Sequence, residues 1–322
     1  MILPLIVALL TTEIPAEAAP PAREIAAGVY LIPGAMAPGR GPDGNTVIFG
    51  APQGLVVVDS GRHAWHSDAI VGFAREHDRP IAAILNTHWH LDHSSGNGRL
   101  KAAFPQALVY ATNAIDRALS AEGFLTRGVP SARAMLAGDE ISAVQREEVN
   151  IFLATMEESA ALRPDVTVDR SQRLRIAGRR FDLRVAPNAV SDADLWLYDA
   201  PSRVAVLGDF VTLPAPFFET GCPEGWRAAL DAVWATPFEI AIPGHGEPMN
   251  RTQFNLYRTA FAAFIDCAAS DAEAGICAGA WRDAMMPFLN TEQSLNAARG
   301  MAAYYVGYLR GNGGKSPDCL AR

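Results

Sequence analysis

Ile81-Ala82-Ala83-Ile84-Leu85-Asn86-Thr87-His88-Trp89-His90-Leu91-Asp92-His93 is an apolar run that ends in a crowd of ligating side chains. The chain has seven histidines, and three of them fall beside Asp92 in this short span. Imidazoles and a carboxylate gathered at a strand end need a cation or hydrogen bonds to offset their desolvation, so metal binding is the economical reading. His88 and His90 are two apart, which places both on one face of an extended segment, able to grip one ion. Asp92 and His93 lie where the chain turns toward a helix and can reach a second. Trp89, between the two, points away from them and is expected to pack.

On either side of this run, short apolar runs alternate with turn signals. Val29–Ile32, Thr46–Phe49 and Leu55–Val58 read as strands, the last two forming a hairpin across Gly50–Gly54. A helix over Trp65–His77, the buried strand Ile81–Leu85, a helix over Gly96–Phe104 and a strand at Leu108–Tyr110 complete a βαβ series. Residues 114–163 carry apolar side chains at helical spacing and predict a helical insertion, either a lid or a brace. Strand patterns return at Val166–Val168, Leu174–Ile176, Phe181–Val185, Leu195–Tyr198 and Val204–Leu207. A helix over Glu224–Trp234 and a strand at Glu239–Ile242 follow. Two similar halves, stacked sheet to sheet, account for this order.

Beyond Gly246 the pattern is helical, with Phe254, Tyr257, Phe261, Phe264 and Ile265 on one face that reads as core. A further helix spans about 294–309, and the tail from Gly311 reads as loose apart from Cys319. The expected division is therefore a domain over 24–265 and a helical C-terminal extension over 266–322.

A formal net charge of −8 and a pI near 5.4 argue against a surface that tracks phosphates, so nucleic acid is not an expected partner. Residues 1–19 combine a short apolar stretch with Ala16 and Ala18 in an A-x-A arrangement, which predicts a signal peptide, although no Lys or Arg precedes it. That stretch is too short to span a bilayer, and the expected location is periplasmic or secreted. The even number of cysteines suits that compartment. Cys267 and Cys277 flank a short loop containing Gly275 and are expected to pair, with Cys222–Cys319 as the second bridge; four buried thiols are the alternative. The oligomeric state is not legible.

Taken with Asp59 after its strand, Gly208-Asp209-Phe210 and Pro243-Gly244-His245-Gly246, the H-x-H-x-D-H run resembles the metallo-β-lactamase superfamily. The motifs appear in that family's order between Val29 and Met249. The resemblance implies an α/β (α+β) four-layer αββα sandwich with the metals at one edge and zinc as cofactor, one ion or two. It implies that His88 and His90 hold a first ion, that Asp92, His93 and His245 hold a second, and that Asp209 bridges them. Asp59 would orient the motif from outside. More loosely, the exported chain with its C-terminal cysteine-bearing helices is similar to periplasmic hydrolases associated with quinoprotein oxidation systems.

One position departs from the family pattern. Where the family carries a third histidine, the stretch Ala189-Val190-Ser191-Asp192-Ala193-Asp194-Leu195 has Val190, which offers no lone pair. The first site then keeps His88, His90 and Asp209 unless Asn188, Ser191 or Asp192 swings in. Three readings stay open: two zinc ions with a weakened first site; one zinc at the second site with His88 or His90 as general base; or a silent remnant on a non-catalytic periplasmic accessory protein. For the enzyme readings, the expected activity is hydrolysis of an ester, thioester, lactone or lactam of a small molecule by metal-activated water, with His88, His90 and Asp92 catalytic. An iron-dependent oxidoreductase is a further alternative. His63 and His66 read as solvated loop or helix-start residues, and His77 as surface. The apolar loop Thr212–Phe218 reads equally as a substrate wall or as core. No phosphate loop and no G-x-S-x-G elbow is present.

Overall fold

The computed structural model describes residues 19–36, 39–138 and 141–319, so the expected signal peptide, Ala19 apart, lies outside the described residues. The first half runs β1 (Arg23–Ala26), β2 (Val29–Ile32), β3 (Thr46–Ala51), β4 (Gly54–Val58), α1 (Ala64–Glu76), β5 (Ile81–Leu85), α2 (Leu91–Ser94), α3 (Asn97–Ala103) and β6 (Leu108–Ala111). The insertion follows as α4 (Ala114–Ala118), α5 (Phe124–Ala137), α6 (Ala143–Glu157) and a 3-10 turn at Ser159–Leu162, leading into β7 (Val166–Thr167). The second half is β8 (Gln172–Ile176), β9 (Arg179–Pro187), β10 (Ala193–Asp199), β11 (Val204–Thr212), α7 (Pro223–Trp234) and β12 (Ile240–His245). Helices α8 (Arg251–Ala269), α9 (Ala274–Met285) and α10 (Glu292–Gly311) close the chain.

Strands β1 to β7 form one sheet in sequence order, and β12-β11-β10-β9-β8 form the other. Val56, Val58, Leu85, Leu183, Leu195 and Val206 fill the space between the sheets, where the Phe49 and Phe181 rings meet at 5.1 Å, edge to face. Ile70 and Phe73 of α1 and Leu100 of α3 cover the outer face of the first sheet. Trp226 of α7 and Phe254, Tyr257 and Phe261 of α8 cover the second. The architecture is an αββα sandwich.

Strands buried on both faces are continuously apolar, and β4 and the Val204–Leu207 part of β11 obey this. Gly208-Asp209 is the exception: a carboxylate inside a wholly buried strand. Strands β11 and β12 run parallel, with register shifts on both sides of the Gly208–Pro243 pair. Such irregularity re-aims side chains at a sheet rim. Both strands outrun their sequence-read ends because Gly-Asp and Pro-Gly-His look like loop.

Two further expectations are corrected. Gly275 is not in a loop: it lies in α9, where two glycines cost about 1 kcal/mol each in propensity, yet burial of Cys277, Trp281 and Met285 holds the helix. The tail is not loose, since Ser316 is buried and its hydroxyl donates to Glu219 O at 2.6 Å. Disulfides join Cys222 to Cys319 and Cys267 to Cys277, the latter tying α8 to α9. Among the described residues no helix is long and apolar enough to cross a membrane.

Candidate metal centre

Strand β5 delivers the chain into 86–90, where Leu195 N donates to Thr87 O at 2.6 Å and pins the segment to the second sheet. His88 and His90 lie on this extended piece, and Asp92 and His93 on α2. Asp209 comes from the bulged part of β11 and His245 from the end of β12. Two close approaches demand glycine. A Cβ on Gly244 would sit 1.9 Å from Asp209 Oδ1, and one on Gly44 would sit 2.3 Å from the His93 ring.

The donors form two groups that share Asp209: Asp92, His93, Asp209 and His245, and His88, His90 and Asp209. In the first, His245 Nε2 lies 2.9 Å from Asp92 Oδ2, and His93 Nε2 lies 3.3 Å from Asp92 Oδ2 and 3.1 Å from Asp209 Oδ1. In the second, His88 Nε2 and His90 Nδ1 lie 3.7 and 4.0 Å from Asp209 Oδ2. Donors about 2.0–2.1 Å from a tetrahedral ion stand roughly 3.3 Å apart; the first group's 2.9–3.5 Å brackets that value, and the second group's 3.7 and 4.0 Å is wider.

Outer hydrogen bonds set the tautomers of three rings. Thr87 Oγ1 donates to Asp59 Oδ2 and so accepts from His88 Nδ1 at 3.0 Å, leaving the Nε2 lone pair turned inward. Thr220 Oγ1 donates to Val190 O at 2.8 Å and accepts from His90 Nε2 at 2.9 Å, leaving Nδ1 toward Asp209. His93 Nδ1 donates to Asp59 Oδ2 at 2.8 Å, again with Nε2 inward. Asp59 is held in turn by the Thr87 N–H, with its own backbone at φ 61°.

Burial sets the charges as well. Desolvation, added to the neighbouring His90 and His93, holds His88 well below the ordinary histidine value, and desolvation pushes His90 down to about 4. Burial alone would raise Asp92 and Asp209, but His93 and His245 outweigh it and both stay ionised. Burial likewise opposes charge on His93 and His245, yet the carboxylates raise both, so protons compete with any cation for these donors. His88 Nε2 and Asp209 Oδ1 are buried without a well-directed hydrogen bond. A cation in each donor group would satisfy one of these atoms, and the donor sets fit such ions.

Val190 is buried, and no side chain from its turn joins either donor group. Asp192 is engaged by Arg117. Ser191 donates through both N and Oγ to Asp194, which burial pushes up to about 7. Asn188 adopts φ 50°, and its Oδ1 is buried without a partner. Thr220, 130 residues from His90, has no sequence signal, because it acts through a fold-level contact.

The solvated reading of His63 and His66 is overturned: each is 1% exposed. His63 Nδ1 meets Asp43 Oδ2 at 2.8 Å and Nε2 meets Glu148 Oε1 at 2.9 Å, so it clasps the insertion helix α6 to the 39–45 segment. Arg40 and Arg62 also bond Glu148. Solvation is unnecessary because these carboxylates replace water. His66 Nε2 bonds Thr46 Oγ1 at 2.8 Å. His77 is exposed, as a surface residue would be.

Above the donors opens a cavity of about 420 Å³, floored by His90, Asp92, Asp209 and His245. Leu213, Pro214, Ala215 and Phe217 form one wall, while Phe218 of the same loop is wholly buried in the core. Part of the loop thus lines the cavity and part fills the core. Trp89 packs at 5.8 Å from Phe124 and lines the cavity.

The family description "Metallo-beta-lactamase superfamily" matches residues 39–245. A linear primary-alkylsulfatase from Pseudomonas sp. is 26% identical over 218 residues, 62% of this chain and 41% of that protein. An atrochrysone carboxyl ACP thioesterase from Aspergillus fumigatus is 39% identical over 64 residues, 19% of this chain and 20% of that protein. The chain thus matches less than half the length of these curated relatives. Among solved structures, a metallo-beta-lactamase family protein from Thermus thermophilus superposes with TM-score 0.59 at 17% identity, covering 90% of this chain and 95% of that one. A stereoselective inverting sec-alkylsulfatase from Pseudomonas sp. gives TM-score 0.59 at 17% identity, covering 90% of this chain and 50% of that one. At these identities the structural likeness speaks for the fold.

Proposed function

The chain belongs to the metallo-β-lactamase superfamily, and from that premise we propose that it is a zinc-dependent hydrolase of an ester-type bond in a small molecule. The observation that carries this is the locking of His88, His90 and His93 by outward hydrogen bonds, so that three lone pairs converge on Asp209. Packing alone gives no reason to aim three imidazoles and two carboxylates at one point. Asp92, His93, Asp209 and His245 would hold one ion; His88, His90 and the shared Asp209 would hold a second with one protein donor fewer. Bound zinc supplies Lewis acidity and a water acidic enough to act near neutral pH. Asp59 fixes His93, Thr220 fixes His90, and Trp89 and Phe217 shield the donors from bulk water.

By their names, the relatives act on alkyl sulfates and acyl thioesters, so sulfate esters and thioesters join carboxylic esters, lactones and lactams as bonds to test. The two disulfides support work in an oxidising compartment, the periplasm or beyond the cell. The test is a chromogenic panel of these bonds, assayed with zinc-loaded and chelated protein. Turnover that chelation removes and zinc restores supports the reading; no turnover at full zinc loading overturns it.

His88, His90 and Asp209 also make a two-histidine, one-carboxylate set of the kind that suits non-haem iron. Iron in the purified protein together with oxygen uptake would favour that oxidoreductase reading.

A further inference from the structure

The cavity over the donors is unlike its floor. Its upper wall is Phe124 and Leu125 of α5, Phe152 of α6 and Met301 of α10, with Leu213 and Phe217 opposite. Apart from the histidines, Arg62 is the one basic side chain among its described lining residues, and that guanidinium is engaged by α6: Nε to Glu148 Oε2 at 3.2 Å and Nη2 to Glu148 O at 3.3 Å. Met36, at the mouth, is 57% exposed, so the apolar surface continues out to solvent.

On the other side of His245, Leu213 and Pro214, which line both spaces, lies a second cavity of about 560 Å³. Its walls are mixed: Asn45, Asn290, Thr291 and Gln293 share them with Phe288 and Leu289. His245 therefore stands between an apolar chamber and a mixed one that carries polar side chains.

We propose that the substrate is an amphiphile with an uncharged alkyl or aryl arm in the chamber of α5, α6 and α10, a polar group in the chamber of 290–294, and its scissile bond at the junction. The proposal rests on the hydrolase reading for the cut, but not for the arm. Water divides between the products, hydroxyl to one half and hydrogen to the other, so each product stays in the chamber that suits it. The insertion is then a specificity element: α5 and α6 set how long an arm fits. A chamber of this volume lies within the roughly 300–1,000 Å³ range of small-molecule sites.

Two measurements separate the arm from the chemistry. With zinc-loaded protein and alkanoyl esters of one alcohol, from acetyl to decanoyl, kcat/KM should rise about fourfold per methylene until the chamber fills, the value expected from about 0.8 kcal/mol per buried CH₂. With chelated protein, calorimetry of butyrate to decanoate should show affinity climbing with length, whether or not any ester is cut. Turnover that is flat or falling with arm length overturns the proposal. Length-dependent affinity without turnover of any bond upholds the arm and sinks the hydrolase reading instead. Half-buried Met301→Lys should cut the decanoyl-to-acetyl ratio at least tenfold, and Phe152→Ala should move the optimum to longer arms. Ratios unchanged in both variants would overturn the assignment of the chamber.

Discussion

Thr220 decides which nitrogen of His90 faces Asp209, although it does not itself line the chamber above. Removing its hydroxyl with Thr220→Val should lower zinc affinity at the His88–His90 group by about 10–100-fold, the usual cost of losing an outer partner of a ligating histidine; competition with a chromogenic chelator measures this. Val190→His should raise the metal-to-protein ratio, because it restores a donor beside an under-supplied group. An unchanged ratio would mean that the turn 188–194 does not face the centre. His63 makes a pH-dependent prediction. Burial opposes its charge, but Asp43 and Glu148 raise its pKa above 6.5, so the stability it adds is present below pH 6.5 and fades as pH climbs through the folded value. Asp43 and Glu148 are lowered, despite burial, by bonds to His63, so their contribution holds above about 4.5 and fades as pH falls through their folded values. His63→Ala should therefore cost about 2–3 kcal/mol, most between pH 4.5 and 6.5 and less above, as read by urea denaturation. The H-x-H-x-D-H donors were legible because they are neighbours in sequence. Thr220, Asp43 and Glu148 were not, because their partners are brought to them only by the fold.

At the scale of elements, strands were read closely where both faces are apolar, as at β5 and β2. Their ends are not legible where the apolar pattern breaks, as at the Gly208-Asp209 bulge and the Pro243-Gly244-His245 end. The same glycines that disguise the strand ends let Asp209 and His245 approach each other. Helix α9 was hidden by Gly275 and Gly279, whose weak propensity is overridden by packing on α8 and α10. The tail's order has no sequence pattern, because its anchor is a set of contacts. Asp318 O and Oδ2 accept from Arg117 and Arg127 of the insertion, and Cys319 is bonded to Cys222 just before α7. This bridge closes a loop with a sequence separation of 97. A Cys222→Ser, Cys319→Ser pair should lose about 2–4 kcal/mol of stability, with faster amide exchange at the tail and in α4 and α5. Exchange unchanged there would detach the tail from the insertion.

Over the whole molecule, two sheets bury a shared apolar layer, outer helices cover each sheet, and one rim of the sandwich gathers acids and imidazoles. A layered core of this kind is written in the alternation of strands and helices. The chamber above the rim is not, since its walls come from α5, α6, α10 and the 212–217 loop, far apart in sequence. Metal is expected to link the halves thermodynamically, because the donors come from β11, β12 and the segment after β5. Zinc at a thousand times its Kd should then add about 4 kcal/mol to unfolding stability. Elemental analysis of the purified protein, repeated on Asp209→Ala, asks whether this rim is a metal centre. Zinc at one to two equivalents per chain is the expected result, one for each donor group that fills, falling sharply in the variant because Asp209 belongs to both groups. Zinc near zero in the parent after zinc loading, or equal amounts in parent and variant, would contradict it.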